Sequence, residues 1–332
     1  MSRKSTRGLR VLLAAGLSLA VAVGAGCGGG NNNNSTSGGG GSAQGKKLTL
    51  IAGVKGDEFY ITMNCGAQAE AKKEGVSLNF QGPDQFDASL QTPIVNAVAA
   101  KKPDAILIAP TDTKAMYAPI KQAESNGSKI VLVDTTLDNA SVAVSQIASD
   151  NLGGGKTAAD TLAKLIGGKG KVFVNNVKPG ISTTDLRAKG FQEGAKAAGL
   201  QYIGQQYNQD DPAKAASITK AIIAKNPDLK GIFATNLFGA EGTASALKEA
   251  GLLGKVKIVG FDAGPKQVRD LKEGLVQALI AQRPAQIGQL GVQQAVAALT
   301  DKPVKSKIAT GFVSITKDNL SQNQNALYKA SC

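Results

Sequence analysis

From Lys47 onward the chain alternates short, almost continuously apolar runs with longer stretches of helical periodicity. The runs are Leu48–Ala52, Ser77–Phe80, Ala105–Ala109, Ile130–Asp134, Lys171–Asn175, Tyr202–Gln206, Gly231–Thr235, Lys257–Phe261 and Val276–Ala281. A run without polar alternation suits a strand of a parallel sheet that helices cover on both faces. Helical patterns fill the gaps at Phe59–Glu74, Ala88–Ala100, Lys114–Ser125, Leu152–Ile166, Leu186–Ala198, Ala213–Ala224, Gly239–Ala250 and Ala285–Leu299. Asp87, Thr113, Asn151 and Asp185 stand where N-caps belong, and Gly75, Gly127 and Gly199 just past helix ends. This rhythm predicts doubly wound parallel sheets. The strands are too many for one ordinary sheet, so two similar α/β lobes are expected. A short internal repeat agrees: Lys102-Pro103-Asp104-Ala105-Ile106 and Asn226-Pro227-Asp228-Leu229-Lys230-Gly231-Ile232 each follow an Ala/Lys-rich helix and open a strand.

Ligands of such sheets sit outside the carboxyl ends of the strands. Polar residues stand at several of those ends: Asp134, Asn236, Asp262 and Gln282. Each Asp could equally be a turn or cap residue when taken singly.

Composition narrows the chemistry. The 332 residues contain no His, which excludes Ser-His-Asp and Cys-His centres, HExxH and any His-based metal site. Gly153-Gly154-Gly155-Lys156-Thr157 looks like the end of a phosphate-binding loop, but Asp150 occupies the position of its leading glycine, and a carboxylate there repels phosphate. No GxGxxG fingerprint opens the first helix. The formal charge is +13, from 38 Lys+Arg and 25 Asp+Glu. Arg3, Lys4, Arg7 and Arg10 lie within residues 1–26, leaving 34 − 25 = +9 for the remainder. These remaining cations are scattered rather than striped with aromatics, which reads as solvated surface and not as a nucleic-acid face.

Met1–Arg10 is basic and Val11–Gly26 is an apolar run of 16 residues ending in small ones. That is short for a membrane span and has the three regions of an export signal. Gly24-Ala25-Gly26-Cys27 is similar to a bacterial lipobox, which makes Cys27 the candidate lipidated residue, although Gly24 stands where an aliphatic side chain is usual. Gly28–Gly45 holds no charge and no large apolar group, so residues 27–45 read as a flexible tether between lipid and body. With Cys27 so assigned, Cys65 and Cys332 remain. Export favours a disulfide between them, tying down a polar tail over 319–332; the alternative is two unpaired thiols.

Several ordered motifs carry a family resemblance over Leu48–Asp318: Phe59-Tyr60 with Gly66-Ala67-Gln68; Ala109-Pro110-Thr111-Asp112; Ile147-Ala148-Ser149-Asp150-Asn151; Arg187 with Gly190-Phe191; Val259-Gly260-Phe261-Asp262; and Ile280-Ala281-Gln282 with Gln286-Ile287-Gly288. The chain resembles the type I periplasmic sugar-binding proteins of bacterial ABC importers, ribose-binding proteins in particular. The resemblance implies two similar doubly wound lobes joined by three hinge crossovers, near Ser149-Asp150, Gln282-Arg283 and Gly311-Phe312. Lobe 1 would comprise 46–149 and 283–311, and lobe 2 would comprise 150–282 and 312–318. It further implies a monomeric, exported binding protein without cofactor or enzymatic activity. Such a protein closes on a monosaccharide or sugar alcohol and delivers it to a membrane permease.

Carried over by position, Phe59 and Tyr60 match the aromatic pair that packs on a sugar's apolar face. Asp134 and Asp262 match hydroxyl-accepting carboxylates, and Arg187, Asn236 and Gln282 match polar partners. The chain departs from the ribose pattern in having Asp57 and Ala109 for two Asn, Thr135 for an Arg, and Asp210 or Asp211 for a second-lobe aromatic. Phe238 is the candidate to supply that missing wall. The added acids leave an amine-bearing ligand open as an alternative, and a sensor feeding a signalling receptor would share the same fold.

Overall fold

A computed structural model describes residues 42–332. The expected export signal (1–26), the candidate lipidated Cys27 and the expected tether up to residue 41 lie outside the described residues. The last tether residues already belong to the body, since Ala43 is buried and the Gly45 amide donates to the Gly75 carbonyl.

Two six-stranded sheets form the core. The first runs β11 (Lys307–Thr310), β5 (Ser145–Ser149), β4 (Lys129–Val133), β3 (Ala105–Ile108), β1 (Lys47–Ile51), β2 (Ser77–Gln81), all parallel. The second runs β12 (Val313–Thr316), β10 (Ala278–Ala281), β9 (Lys257–Phe261), β8 (Leu229–Ala234), β6 (Lys171–Asn176), β7 (Gln201–Tyr207), with only β12 antiparallel. The two orders are the same up to the final strand, so each lobe repeats one folding plan. The sequence repeat marks it: Asp104 before β3 pairs with Lys46 at 2.9 Å, and Asp228 before β8 pairs with Lys171 at 2.9 Å.

Continuous apolar strands feed two cores each. In β3, Ile106 and Ile108 pack with α2 (Ala88–Ala100) and α3 (Tyr117–Ser125). Ala105 and Leu107 instead face α1 (Glu58–Glu74) and α9 (Pro284–Leu299). The second sheet does likewise between α4 (Asn151–Leu165) with α5 (Ser182–Ala197) and α6 (Pro212–Lys225) with α7 (Leu237–Glu249) and α8 (Pro265–Glu273). The chain passes between sheets after Ser149, after Ala281 and after Thr310.

Four elements escape the apolar-run criterion. Strand β5 (SQIAS) alternates, β11 and β12 are short edge strands, and α8 (PKQVRDLKE) is nine mostly polar residues. Of the expected N-caps, Asp87 caps α2, but the other three shift. Asp150 rather than Asn151 caps α4, Met116 precedes α3, and α5 begins before Asp185, at Ser182. The tail is also not loose: Leu320–Ala326 forms a 3-10 turn, Leu320 and Tyr328 are buried, and Cys332 is disulfide-bonded to Cys65 on α1.

The phosphate-loop-like glycines lie inside α4 and serve close helix packing. A Cβ on Gly155 would collide with the Arg187 carbonyl of α5, and one on Gly190 of α5 with the Leu152 carbonyl of α4. The same device joins α1 and α9 through Gly66 and Gly288. Close approach of α5 to α4 sets where Arg187 stands. Gly155→Val is therefore expected to cost about 1–3 kcal/mol, read as a fall of several degrees in melting temperature. Gly56→Ala, whose Cβ meets open space, is expected to change stability by no more than about 0.5 kcal/mol.

Candidate ligand-binding cleft

The carboxyl ends of both sheets face one another across a small cavity. Lobe 1 contributes Asp57, Phe59, Tyr60, Phe86 and Asp134; lobe 2 contributes Val177, Ile181, Thr183, Thr184, Arg187, Asp210, Asn236, Asp262 and Gln282. All three aromatic walls belong to lobe 1, while most hydrogen-bonding groups belong to lobe 2. The lobes meet over the opening. Lys178 donates to the Phe86 carbonyl at 2.8 Å, the Thr113 amide to the Gly180 carbonyl at 3.0 Å, and the Thr136 amide to Ser182 Oγ at 2.9 Å.

Phe59 and Tyr60 open α1, where Asp57 caps the helix by accepting from the Phe59 amide at 2.7 Å. Their rings meet edge to face, with centroids 5.1 Å apart. Phe86 comes from the loop after β2 and lies over Gly53, where a Cβ would approach Tyr60 Oη to 2.5 Å and crowd the Phe86 ring.

Asp134 directly follows β4 and Asp262 directly follows β9. Both take positive φ, 64° and 78°, and both stay tied to the sheet: the Asp134 amide donates to Ile147 and the Asp262 amide to Ile280. A non-glycine residue in this region is uncommon. At these two positions it turns a strand end so that the carboxylate enters the cleft. Asp134 Oδ2 accepts from Tyr60 Oη at 2.7 Å, and Asp262 Oδ1 accepts from Gln282 Nε2 at 2.7 Å. Asn236 caps α7 through its oxygen and donates to Asp210 Oδ1 at 2.6 Å through its nitrogen.

Arg187 is 3 % exposed, with Nε on Asn151 Oδ1 and Nη1 on the Thr235 carbonyl, each at 2.9 Å. Its guanidinium lies 3.9 Å above the Phe261 ring. Of five N–H donors, protein acceptors take two, which leaves donors for a ligand. Thr184 is 4 % exposed and its hydroxyl has no partner among the described residues; a buried hydroxyl normally has one.

Burial dominates the electrostatics. It raises Asp134 to about 6, against the pull of Arg187 and the Tyr60 hydrogen bond, and raises Asp210 to about 7 despite Asn236. Burial pushes Asp57 well above the usual carboxylate range too, reinforced by the charges of Asp262 and Asp210. The cavity thus holds more acid than its one guanidinium balances.

Two candidates from sequence lie elsewhere. Thr135 is buried but turned into lobe 1, donating to the Pro110 carbonyl at 2.8 Å. Phe238 lines a neighbouring outer groove with Val54, Gln85 and Lys214. It follows Asn236 by two residues, which on a helix is roughly 200° of rotation. Phe86 supplies the further aromatic wall instead, and from the opposite lobe. Thr183 and Thr184 were also missed, because they sit in the first turn of α5, which begins before the expected helix. Phe86 was signalled only as an isolated ring in a polar loop.

Residues 48–303 match the periplasmic binding protein domain family. The ribose import binding protein of Salmonella typhimurium is 32 % identical over 270 residues, 81 % of this chain and 90 % of that protein. Among solved structures, an ABC transporter solute-binding protein from Agrobacterium vitis bound with alpha-D-tagatopyranose is similar with TM-score 0.84 and 44 % identity. That match covers 86 % of this chain and 99 % of the other. A second Agrobacterium vitis solute-binding protein, with bound D-fucose, gives TM-score 0.81 and 31 % identity over 85 % of this chain and 100 % of the other.

The buried acids make stability depend on pH. Unfolded, an Asp ionises near 3.8, whereas Asp134 and Asp210 in the folded chain do so near 6 and 7. Between these values the folded state holds more protons than the unfolded one, so raising the pH favours unfolding. The ligand-free chain is expected to lose this contribution progressively from about pH 4 to pH 7, and Asp210→Asn to flatten the fall above pH 5. Thermal melts of both proteins across that window check it; identical profiles would contradict it.

Proposed function

The chain belongs to the periplasmic binding protein family, and on that premise we propose that it is the solute-binding component of an ABC importer that captures a single monosaccharide between its lobes. One observation carries the reading: a cleft in which aromatic rings from one lobe face carboxylates, a guanidinium and a hydroxyl from the other. Flat rings cover the C–H face of a sugar, and ionised acceptors make short, strong bonds to its hydroxyls. Asp134 and Asp262 accept hydrogen bonds from sugar hydroxyls, Arg187 and Thr184 donate to sugar oxygens, and Phe59, Tyr60 and Phe86 cover the ring. The likeness to a protein holding alpha-D-tagatopyranose supports a hexose in its six-membered-ring form as the leading ligand.

Capture needs no bond to break. A sugar on the lobe 1 aromatics gains its remaining hydrogen bonds only when lobe 2 closes, so the closed state binds it more tightly and is populated by it. The permease then receives a closed, loaded protein. Attachment to the membrane through lipid on Cys27 would keep the body near that permease, a reading supported by the lipobox-like sequence and the polar tether. The surplus of carboxylate over guanidinium favours a second reading, a small ligand bearing an amine.

Calorimetric titration of the chain with D-tagatose, D-fucose, D-ribose, amino acids and small amines separates the readings. Binding confined to sugars is expected; binding confined to amines would overturn the sugar reading. Arg187→Met is expected to weaken sugar binding roughly a hundredfold or more, from loss of charged hydrogen bonds at about 1.5–3 kcal/mol each. Thr184→Val removes a hydroxyl that has no partner among the described residues, so the ligand-free melting temperature should hold while affinity falls about tenfold. Cys27→Ala is expected to shift the protein from the membrane fraction to the soluble one.

A further inference from the structure

The two strand-end carboxylates are supported in parallel ways, by tyrosines of very different origin. In lobe 1, Tyr60 of α1 donates its phenol to Asp134. In lobe 2, the phenol on Asp262 comes from Tyr328, far along the chain in the tail. Tyr328 Oη donates to Asp262 Oδ1 at 3.0 Å and accepts from the Gln282 amide at 3.0 Å. Asp262 Oδ1 also takes Gln282 Nε2, so two donors hold one oxygen and leave Oδ2 for the cleft. Tyr328 itself lines no part of the cavity; it stands behind the carboxylate, 5 % exposed.

The segment carrying this phenol spans both lobes. The Tyr328 amide donates to the Ala263 carbonyl in lobe 2, and the next amide, of Lys329, donates to Thr62 Oγ1 on α1 in lobe 1 at 2.7 Å. The Tyr328 ring meets Phe59 edge to face at 5.8 Å. Cys332 then fastens the end to Cys65 on α1. A single strap therefore touches the aromatic wall of one lobe and the carboxylate of the other, and one covalent bond holds it in place.

We propose that Tyr328 is a positioning residue for the ligand. Its phenol fixes Asp262 in the orientation that meets a sugar hydroxyl in the closed state, and the Cys65–Cys332 disulfide keeps the phenol there. The assignment rests on the reading of the cleft as a sugar site and extends it to a residue that touches no ligand. Because the bonds to Asp262 and the packing on Phe59 come from opposite lobes, the strap acts on the closed arrangement more than on either lobe alone. Its loss is expected to appear in release of the ligand rather than in capture.

The test uses the full chain, titrated with D-tagatose, D-fucose and D-ribose by calorimetry and stopped flow. Tyr328→Phe keeps the ring on Phe59 and removes only the hydroxyl. It is expected to weaken binding about tenfold, through faster dissociation at unchanged association rate, with the ligand-free melting temperature lowered only by the few degrees that one buried hydroxyl accounts for. Cys332→Ser frees the strap without touching the cleft and is expected to act in the same direction, as is reduction of the wild-type protein. Unchanged affinity in Tyr328→Phe, or a loss matched by a general drop in ligand-free stability, would overturn the assignment while leaving the sugar site standing. A wild-type chain that binds none of the three sugars would overturn the sugar reading and this assignment together.

Discussion

Four aspartates, Asp57, Asp134, Asp210 and Asp262, share one cavity with a single arginine. Carboxylates buried so close together are costly unless hydrogen bonds meet them, and much of the surrounding architecture supplies those bonds. Asp57 accepts a helix amide, Asp134 a tyrosine hydroxyl, Asp210 an asparagine amide, and Asp262 both a glutamine and a tyrosine. In each case one oxygen is held by the protein. A sugar that presents several hydroxyl donors supplies what the remaining oxygens lack, which is why a cleft awkward for an empty protein suits a loaded one.

Those bonds also reach the crossovers between the lobes. Gln282, which holds Asp262, accepts from Ser149 Oγ at 2.7 Å, and Ser149 Oγ lies 3.3 Å from Thr310 Oγ1. Ser149, Gln282 and Thr310 sit at the three points where the chain passes between sheets. The carboxylate in the cleft and the three crossovers between the sheets therefore share one buried polar network. Such networks are strong when every member is satisfied and unforgiving when one is lost.

Much of this was legible in the sequence because the physics is local. Strands buried on both faces must be apolar throughout, and they declared the two-lobed plan; Asp134, Asp262, Asn236 and Gln282 stood at their carboxyl ends, where ligands of such sheets bind. What escaped depended on direction or distance. Thr135 and Phe238 are close in sequence to cleft residues, but one peptide further or two steps round a helix points a side chain elsewhere. Phe86 sits in an irregular loop whose path no periodicity describes. Tyr328 meets Asp262 across 66 residues, through a polar tail that gives no sign of being buried. Strand β5 and helix α8 were missed because one alternates and the other is mostly polar, so neither carries the apolar signature of a central element.

On the sugar reading, one ring lies between the lobe 1 aromatics and the lobe 2 polar groups. A crystal structure of the chain grown with D-tagatose tests it most directly. The expected result is a single ring bounded by Phe59, Tyr60 and Phe86, with hydroxyls on Asp134 and Asp262 and oxygens on Arg187 and Thr184. A sugar bound outside this cleft, or a cleft filled instead by an amine set between Asp57 and Asp210, would overturn this arrangement.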